Sequence, residues 1–319
     1  MSIVLRTIAF FACAFALSAH AAYPTKPVRL IVPYVAGGSF DTVARQIAQP
    51  LGEKLGQQVV VDNRAGATGI IGTETVARAQ PDGYTIGLFG GNQVLSAAVR
   101  PKLPYDMLND FQPIGRFATI DNVVAVHPSL PAKSLKELIA LLKASPGKYQ
   151  YGSGGYAGDT HFTGALFALA AGVELLHVPY KGGGLAVTGL VSNEVQLMVV
   201  NLISAEPHIR SGRLRGLAIA AKQRSPLLPD VPTASEAGLP GFEWAQWYSL
   251  FAPVRTPRPI VARLRTELER IVASPDFNKK LTSQGAQPVT ETPEQTRAFV
   301  KEMLEVSRKI AKSANIRAE

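Results

Sequence analysis

Short apolar runs rich in β-branched residues alternate with helical patterns along most of this chain of 319 residues. The first unit shows the pattern: Val28–Val32 is predicted as a buried strand, 33–39 as a turn with paired glycines, and 41–55 as a helix. Such alternation favours a mainly parallel sheet covered by helices, because parallel strands need a long crossover that is usually helical. The sequence therefore predicts the α/β class.

The length of the chain predicts two lobes, since about 300 residues exceed the commonest size of a single core. A second strand and helix series follows the first, and a proline-rich stretch at 226–259 leads to three further helices. We therefore expect the first part of lobe 1 at 22–123, lobe 2 at 124–222, and a return to lobe 1 at 223–319. The remaining predicted strands are 59–61, 84–89, 123–126, 149–151, 175–178, 195–200, 214–220 and 247–251, and the remaining predicted helices end near 79 or cover 134–143, 158–171, 259–273, 276–283 and 293–314.

The first 21 residues have the order of a secretory signal peptide. Arg6 precedes an apolar run at 8–17, and small residues stand at Ala19 and Ala21. That run is too short for a membrane-spanning helix, which needs about 20 apolar residues. We therefore expect cleavage near Ala22, export to the periplasm, and loss of the single cysteine, Cys13, from the mature chain.

The charge of the chain is basic, with a formal net charge of +9. A basic surface can indicate nucleic-acid binding, but export argues against it and no run of five or more basic residues occurs. We interpret the charge as a weak preference for anionic ligands, with no nucleic acid among the partners.

Three strand–helix junctions are rich in glycine and small hydroxyl side chains. In open α/β sheets, ligands bind beyond the carboxyl ends of strands, where the N–H groups of the next helix favour anions. Glycine allows close approach of the backbone, so these junctions predict an anion cradle, although any one of them could be merely a tight turn. The junctions are Gly37, Gly38 and Ser39; Gly66, Ala67, Thr68 and Gly69; and Gly152, Ser153, Gly154 and Gly155.

Enzyme motifs do not meet their own requirements in this chain. The spacing of Gly66, Gly69 and Gly72 is not that of a dinucleotide fingerprint, and 182–184 lacks the Lys-Ser/Thr ending of a P-loop. We therefore expect no cofactor. The histidines lack cysteine or carboxylate neighbours, so we expect no metal site. The sharpest enzyme hypothesis is a hydrolase that pairs Ser153 with His161, which otherwise makes a structural hydrogen bond or contacts a ligand.

Five segments resemble the Bug-type substrate-binding proteins of tripartite tricarboxylate transporters, in the order of that family. They are IVPYVAGGSFD at 31–41, VDNRAGATG at 61–69, PDGY at 81–84, HVPYKG at 177–182, and DVPT at 230–233 followed by EAG at 236–238. The resemblance implies a type II periplasmic binding protein fold, with two α/β lobes and a ligand cleft between them. It also implies a monomer without catalytic residues that captures a small carboxylate and delivers it to integral membrane transporter subunits. A ligand-sensing partner of a membrane sensor kinase and a periplasmic hydrolase are the alternatives.

The resemblance also implies which residues face the ligand. For Asp41, two roles stay open: it caps the following helix, or it binds an amino group of the ligand. The chain departs from the family pattern at Ala36, Asp159 and Thr160, and also at Gly189, Ser192, Asn193 and Gln196, which leaves the ligand unidentified. The implied ligand contacts are Tyr34, Gly37, Gly38, Ser39, Asp41, Ala67, Thr68, Ser153, Gly154, His161 and Asn201.

Overall fold

The computed structural model describes residues 23–283 and 285–317. The predicted signal peptide, its cleavage site and Cys13 lie outside the described residues. The strands are Val28–Val32 (β1), Val59–Asn63 (β2), Thr85–Phe89 (β3), Phe111–Val126 (β4), Gln150–Ser153 (β5), Leu176–Pro179 (β6), Leu197–Asn201 (β7), Arg215–Ile219 (β8), Ala245–Pro253 (β9) and Ala286–Pro288 (β10). The helices are Ser39–Leu55 (α1), Ile70–Ala77 (α2), Gly91–Val99 (α3), Leu135–Ala144 (α4), Asp159–Ala171 (α5), Gly183–Val191 (α6), Leu202–Arg210 (α7), Arg258–Val272 (α8), Pro275–Thr282 (α9) and Pro293–Ser313 (α10), with a short 3₁₀ turn at Ala67–Gly69.

The strands form two sheets that share β4. The first sheet has the order β2-β1-β3-β9-β4, with β10 also beside β4. In it, β1 runs parallel to β2 and β3, whereas β9 runs antiparallel to β3 and β4. In the second sheet, β5 is parallel to β6 and β7, and β4 is antiparallel to β7 and β8. The predicted α/β class is confirmed, with antiparallel pairs concentrated where the two sheets meet.

Two neighbouring segments cross from one sheet to the other. Residues 111–121 of β4 pair with β9, and residues 122–126 pair with β7. The return crossing runs from β8 to β9 and is held by two backbone bonds, Ala220 N to Asn122 O at 2.8 Å and Trp244 N to Ala220 O at 2.9 Å. This arrangement is that of a two-lobed binding fold. The predicted lobe boundaries at 123 and 222 remain predictions, while β4 changes its pairing between Asp121 and Asn122.

The C-terminal helix α10 packs against both lobes. Ile310 and Ala311 on α10 belong to one hydrophobic cluster with Leu95 on α3 and Phe162 on α5, and Trp244 of the return crossing completes it. Helix α10 is amphipathic and begins with a capping box, in which Thr292 accepts from Gln295 N and Gln295 accepts from Thr292 N. Helix α10 therefore packs against both α3 and α5 through one hydrophobic cluster.

Helices α3, α6 and α7 occur where the sequence pattern predicted no element. Helix α6 starts with Gly183 and Gly184, which are poor helix formers, so local propensity argues against it. Burial of Ala186, Val187 and Leu190 supplies the compensating stabilisation. The first half of β4 was also unpredicted, because the register of the strand slips between Pro113 and Gly115, which breaks the apolar alternation.

Candidate functional site

Helices α1, α3 and α5 begin in the same region, where the two sheets meet. Each follows a strand and has glycine at its N-cap: Gly38, Gly90 and Gly158. The start of α5 is joined to the start of α3 by a hydrogen bond from Asp159 N to Asn92 Oδ1 at 2.7 Å. The start of α1 also lies against the start of α3. The Phe40 ring packs so closely on Gly90 that a Cβ there would lie 2.7 Å from it. Unpaired N–H groups and positive dipole ends converge here, an environment that favours an anion.

Five polar side chains line this convergence, and we call them the cleft cluster. Asp159 lies close enough to the hydroxyls of Tyr34 and Tyr248 for its charge to add to the effect of burial, which raises the pKa of both tyrosines. Tyr34 is also bonded to Asn92, and Ser39 lies beside the Tyr248 hydroxyl. The cluster is therefore assembled from both lobes and from β9. Its members are Tyr34, Ser39, Asn92, Asp159 and Tyr248, and none of them is cationic.

The first glycine loop presents unengaged N–H groups. Within the described residues, the amides of Gly38, Ser39 and Phe40 donate no hydrogen bond to the protein. Gly37 has φ +84°, in the left-handed region that favours glycine. The predicted donors at Gly38 and Ser39 thus stand at the start of α1 facing the cluster.

Asp41 stabilises this loop from within. Its Oδ2 accepts from Gly37 N at 2.9 Å and from Arg45 Nε at 3.0 Å. Burial tends to raise the pKa of Asp41, but hydrogen bonds from Arg45 and Gly37 outweigh it and hold that pKa below the usual value. Of the two roles left open by the sequence, the capping role was wrong in detail, because Asp41 is the third residue of α1 and Gly38 is its N-cap; the carboxylate instead holds the preceding loop through Gly37 N.

The second loop contains consecutive left-handed residues. Ala67 and Thr68 have φ of +46° and +55°, and Gly69 follows with +91°. Positive φ at non-glycine residues costs roughly 1–3 kcal/mol each, and such strain clusters at binding sites. The amides of Ala67 and Thr68 donate to no described residue. The turn is therefore a second set of open donors, and its contact with a ligand stays a prediction.

Tyr34 connects the second loop to the start of α3. Its hydroxyl accepts from Gln93 Nε2 at 2.9 Å, and Gln93 Oε1 in turn accepts from Gly90 N at 2.9 Å. A Cβ on Gly69 would lie 3.0 Å from this hydroxyl, so the glycine allows the close approach. Burial raises the pKa of Tyr34, which remains neutral and able to donate.

The third loop differs from its predicted role, because its donors are engaged internally. Gly154 N donates to Thr160 Oγ1 at 2.9 Å, so this amide is not an open anion donor. Ser153 is fully buried, and its Oγ lies 2.6 Å from His177 Nε2. A Cβ on Gly154 would lie 2.8 Å from Gly183 N, so this glycine is required for packing against the start of α6.

The predicted pair of Ser153 and His161 does not form. His161 Nδ1 instead accepts from Ala157 N at 3.1 Å, and its ring stacks on His177 with centroids 3.7 Å apart. Burial lowers the pKa of His161 to about 4, so the ring is neutral at neutral pH. Within the described residues, no carboxylate hydrogen-bonds to His177. The hydrolase hypothesis was therefore wrong about the pair, and the actual Ser153–His177 contact lacks an orienting acid.

Asn201 lies at the edge of the site and caps a helix. Its Oδ1 accepts from Ser204 N at 3.1 Å at the start of α7. In the β4–β7 ladder it stands opposite Asn122, whose Nδ2 donates to Trp244 O at 3.1 Å. Asn201 therefore adjoins the first crossing segment, through Asn122.

Asp159 belongs to the cleft cluster but is not among the ligand contacts that the sequence predicted. It is 6% exposed, and its Oδ1 accepts from Trp244 Nε1 at 2.8 Å. Burial raises the pKa of Asp159 to about 6, against hydrogen bonds from Trp244 and Asn122. Asn92, Gln93 and Tyr248 were also missed. The available signal was the Gly90-Gly91 pair after β3, which repeats the Gly37-Gly38 pair after β1.

Two surface cavities lie away from this region. One of about 360 Å³ is lined mainly by residues of α5 and the chain around 173–176, and one of about 740 Å³ lies between α1 and β2. Neither includes a member of the cleft cluster, so the convergence of loops, rather than cavity size, identifies the candidate site. Across residues 23–283 and 285–317, no helix is both long and apolar enough to cross a membrane.

Comparisons with known proteins agree on one family. The family model for the tripartite tricarboxylate transporter family receptor matches residues 43–316. Protein BugT of Bordetella pertussis is 38% identical over 280 residues, covering 87% of this chain and 86% of BugT. A solved structure of a periplasmic transporter is 43% identical, with a TM-score of 0.86 over 93% of this chain and 99% of its own. Rpa4515 of R. palustris, solved with adipate, is 34% identical, with a TM-score of 0.87 over 92% and 99% of the two chains.

Proposed function

This chain belongs to the tripartite tricarboxylate transporter family receptors of Bug type, and we propose that it captures a small carboxylate in the periplasm for a membrane transporter. The observation that carries the proposal is the convergence of three helix amino-termini on the cleft cluster. A solute-binding role is that of the family, whereas the carboxylate and the transporter partner are our proposal.

The chemistry of the convergence suits a carboxylate. An anion that enters a closed cleft loses its water, and hydrogen-bond donors must replace that hydration. The open amides of Gly38 and Ser39, and those of Ala67 and Thr68, supply such donors without a lysine or arginine. Each helix end adds about 0.3–1 kcal/mol for a nearby negative charge, and more when partly buried. The adipate found with Rpa4515 is a ligand of this kind.

The two crossing segments suit capture and release. Because the lobes are joined by β4 and by the return from β8 to β9, they can close over a ligand by small changes at the crossings. Donors from lobe 1 and the α5 start from lobe 2 would then enclose the ligand together. The closed form is the one a transporter would recognise, with this chain acting as a monomer.

Binding without turnover tests the proposal. The purified chain should be screened by thermal shift against short dicarboxylates, with each matching diamide as the uncharged control. A ligand that binds only the native state at about 100 times its dissociation constant adds about 2.7 kcal/mol. We expect at least one acid to stabilise the protein, its diamide to have no effect, and the acid to be recovered unchanged.

Two results would contradict this function. Equal stabilisation by acids and diamides would show that the convergence does not select an anion. Multiple turnover of any ligand would show that the chain is an enzyme, and the Ser153–His177 contact would be the first site to test by substitution.

The location has its own test. We expect the exported chain to begin at or near Ala22, because small residues at Ala19 and Ala21 fit the cleavage rule. Amino-terminal sequencing of the chain from a periplasmic extract checks this, and a full-length product retained in the cytoplasm would contradict it.

A further inference from the structure

Asp159 is a buried acid without a cationic partner. The side chain is 6% exposed and accepts hydrogen bonds from two neutral donors, Trp244 and Asn122. None of the ion pairs among the described residues includes it. Burying a carboxylate is costly unless a cation or several donors compensate. The unliganded protein therefore leaves this group only partly compensated.

Trp247 is a buried donor without an acceptor. Its ring is 1% exposed, and among the described residues its Nε1 has no hydrogen-bond partner. Buried donors in native proteins are nearly always satisfied, so an unpaired one in a cleft needs an explanation. A ligand oxygen is the acceptor that would satisfy it.

These two unsatisfied groups border the same small space beside Gly91. A Cβ built on Gly91 would lie 3.4 Å from Asp159 Oδ1 and 3.8 Å from Trp247 Nε1. Both are ordinary contact distances, so the space accommodates an added group. The Asp159 carboxylate, which can accept a hydrogen bond, and the free Trp247 N–H donor thus lie on two sides of one position at the start of α3.

The other groups around Asp159 are neutral. Burial raises the pKa of Tyr34 and of Tyr248, so both phenols keep their protons. Asn92 Oδ1 already accepts from Asp159 N. The surroundings therefore offer hydrogen bonds but no positive charge, and a positive charge would have to arrive with the ligand.

Resting on the proposed function, we infer that the ligand is a zwitterion whose protonated amino group pairs with Asp159 while its carboxylate meets the open N–H donors, including the Trp247 indole. The preferred substrates are thus amino-carboxylates rather than simple dicarboxylates. The ammonium group removes the cost of the buried acid, and the carboxylate satisfies the helix starts.

Calorimetry on matched ligand sets tests the inference. The sets are aspartate with succinate and malate, and glutamate with glutarate and 2-hydroxyglutarate, so that an amino group, hydrogen or hydroxyl occupies the same position. For the wild-type chain we expect the amino member of at least one set to bind roughly 10- to 100-fold tighter than its desamino partner, the effect of one charge-assisted hydrogen bond.

Two variants separate Asp159 from a general effect of buried acids. Asp159→Asn should lose about that factor for the amino member and lose little for the desamino member. Glu267→Gln is the control, because Glu267 is also a buried acid, 1% exposed, but lies on α8 outside the cleft cluster and pairs with Arg263 and Arg270. It should bind like wild type, and circular dichroism confirms that both variants fold.

The outcomes separate the two proposals. If desamino acids bind wild type as tightly as amino acids do, or hydroxy acids bind tighter, the inference is overturned while carboxylate capture stands. If neither the amino members nor the desamino members bind, the proposed function itself fails. The wild-type comparison needs no variant, so a misfolded Asp159→Asn would not prevent a decision.

Discussion

The imidazole rings of His161 and His177 are stacked face to face, with centroids 3.7 Å apart and planes inclined by 7°. Burial lowers the pKa of His161 to about 4, and burial together with His161 lowers that of His177 to about 3. The Tyr156 ring packs nearly perpendicular to both, with its centroid 5.6 Å from that of His161 and 5.1 Å from that of His177. Two neutral rings can stack in this way, whereas two imidazolium ions would repel each other.

The stack predicts acid sensitivity. In the unfolded chain both histidines take up protons near pH 6.5, whereas the folded protein resists protonation until about pH 4. The unfolded state therefore binds more protons in this range, so the free energy of unfolding should fall as pH drops from about 6.5 towards 4. Denaturant unfolding across this range measures the slope.

Matched substitutions test whether the stack of His161 and His177 causes this pH dependence of the free energy of unfolding. His177→Gln should reduce the acid sensitivity, while His127→Gln, at a residue that bonds Ser129 outside the stack, should leave it unchanged. Equal slopes for wild type and His177→Gln would show that the stack does not cause the effect.

Asp159 predicts the opposite pH dependence of the free energy of unfolding. Its folded-state pKa of about 6 exceeds the ordinary 3.8, so the folded protein loses stability as pH rises from about 4 to 6. A difference of about 2 in pKa corresponds to about 3 kcal/mol at most. Asp159→Asn should therefore stabilise the unliganded protein above pH 6 by up to about that amount, and change stability less at pH 4. Unfolding curves at both pH values check this, and a gain that is equal at both would contradict it.

The sequence predicted the parts of the site that depend on local chemistry. The Gly37-Gly38 pair and the turn at Ala67 and Thr68 were predicted because glycine and small residues follow strands there, and both turns keep open amides. By contrast, the start of α3 was missed because Gly90 and Gly91 obscured the helix pattern of 91–99.

Contacts between distant residues could not be predicted. The hydrolase alternative paired Ser153 with His161, eight positions away along the chain, but Ser153 Oγ contacts His177, which parallel pairing of β5 and β6 places next to Tyr151. Likewise Asp159 meets Trp244 through the return crossing. Neither pairing leaves a periodic signal, because each depends on how the second sheet is assembled.

Two glycines of the predicted cradle should respond differently to valine. Gly38 has φ −82°, and its Cβ would meet only Val35 O, at 3.7 Å, so Gly38→Val should fold. Its branched side chain would cover the open amides of α1. Loss of two charge-assisted hydrogen bonds would weaken carboxylate affinity by about two to four orders of magnitude.

Gly154→Val should instead destabilise the protein, because its Cβ would come within 2.8 Å of Gly183 N and its amide already bonds Thr160. Calorimetry and thermal unfolding of both variants distinguish the two effects. Near-normal affinity in folded Gly38→Val would show that the start of α1 does not hold the anion.

The adjacent pair Gly90 and Gly91 offers the sharpest structural test of the space beside Asp159. A Cβ on Gly91 would meet nothing closer than 3.4 Å, so Gly91→Ala should fold with stability close to wild type. The new methyl group would occupy the space between Asp159 Oδ1 and Trp247 Nε1, and amino-carboxylate affinity should fall by roughly tenfold or more, the effect of losing one charge-assisted hydrogen bond. Gly90→Ala is the contrasting variant, because its Cβ would lie 2.4 Å from Trp247 O and 2.7 Å from the Phe40 ring, which makes a loss of thermal stability the expected result. If Gly91→Ala binds the amino members as wild type does, the ligand does not enter this space, since a methyl group there could not be accommodated together with it.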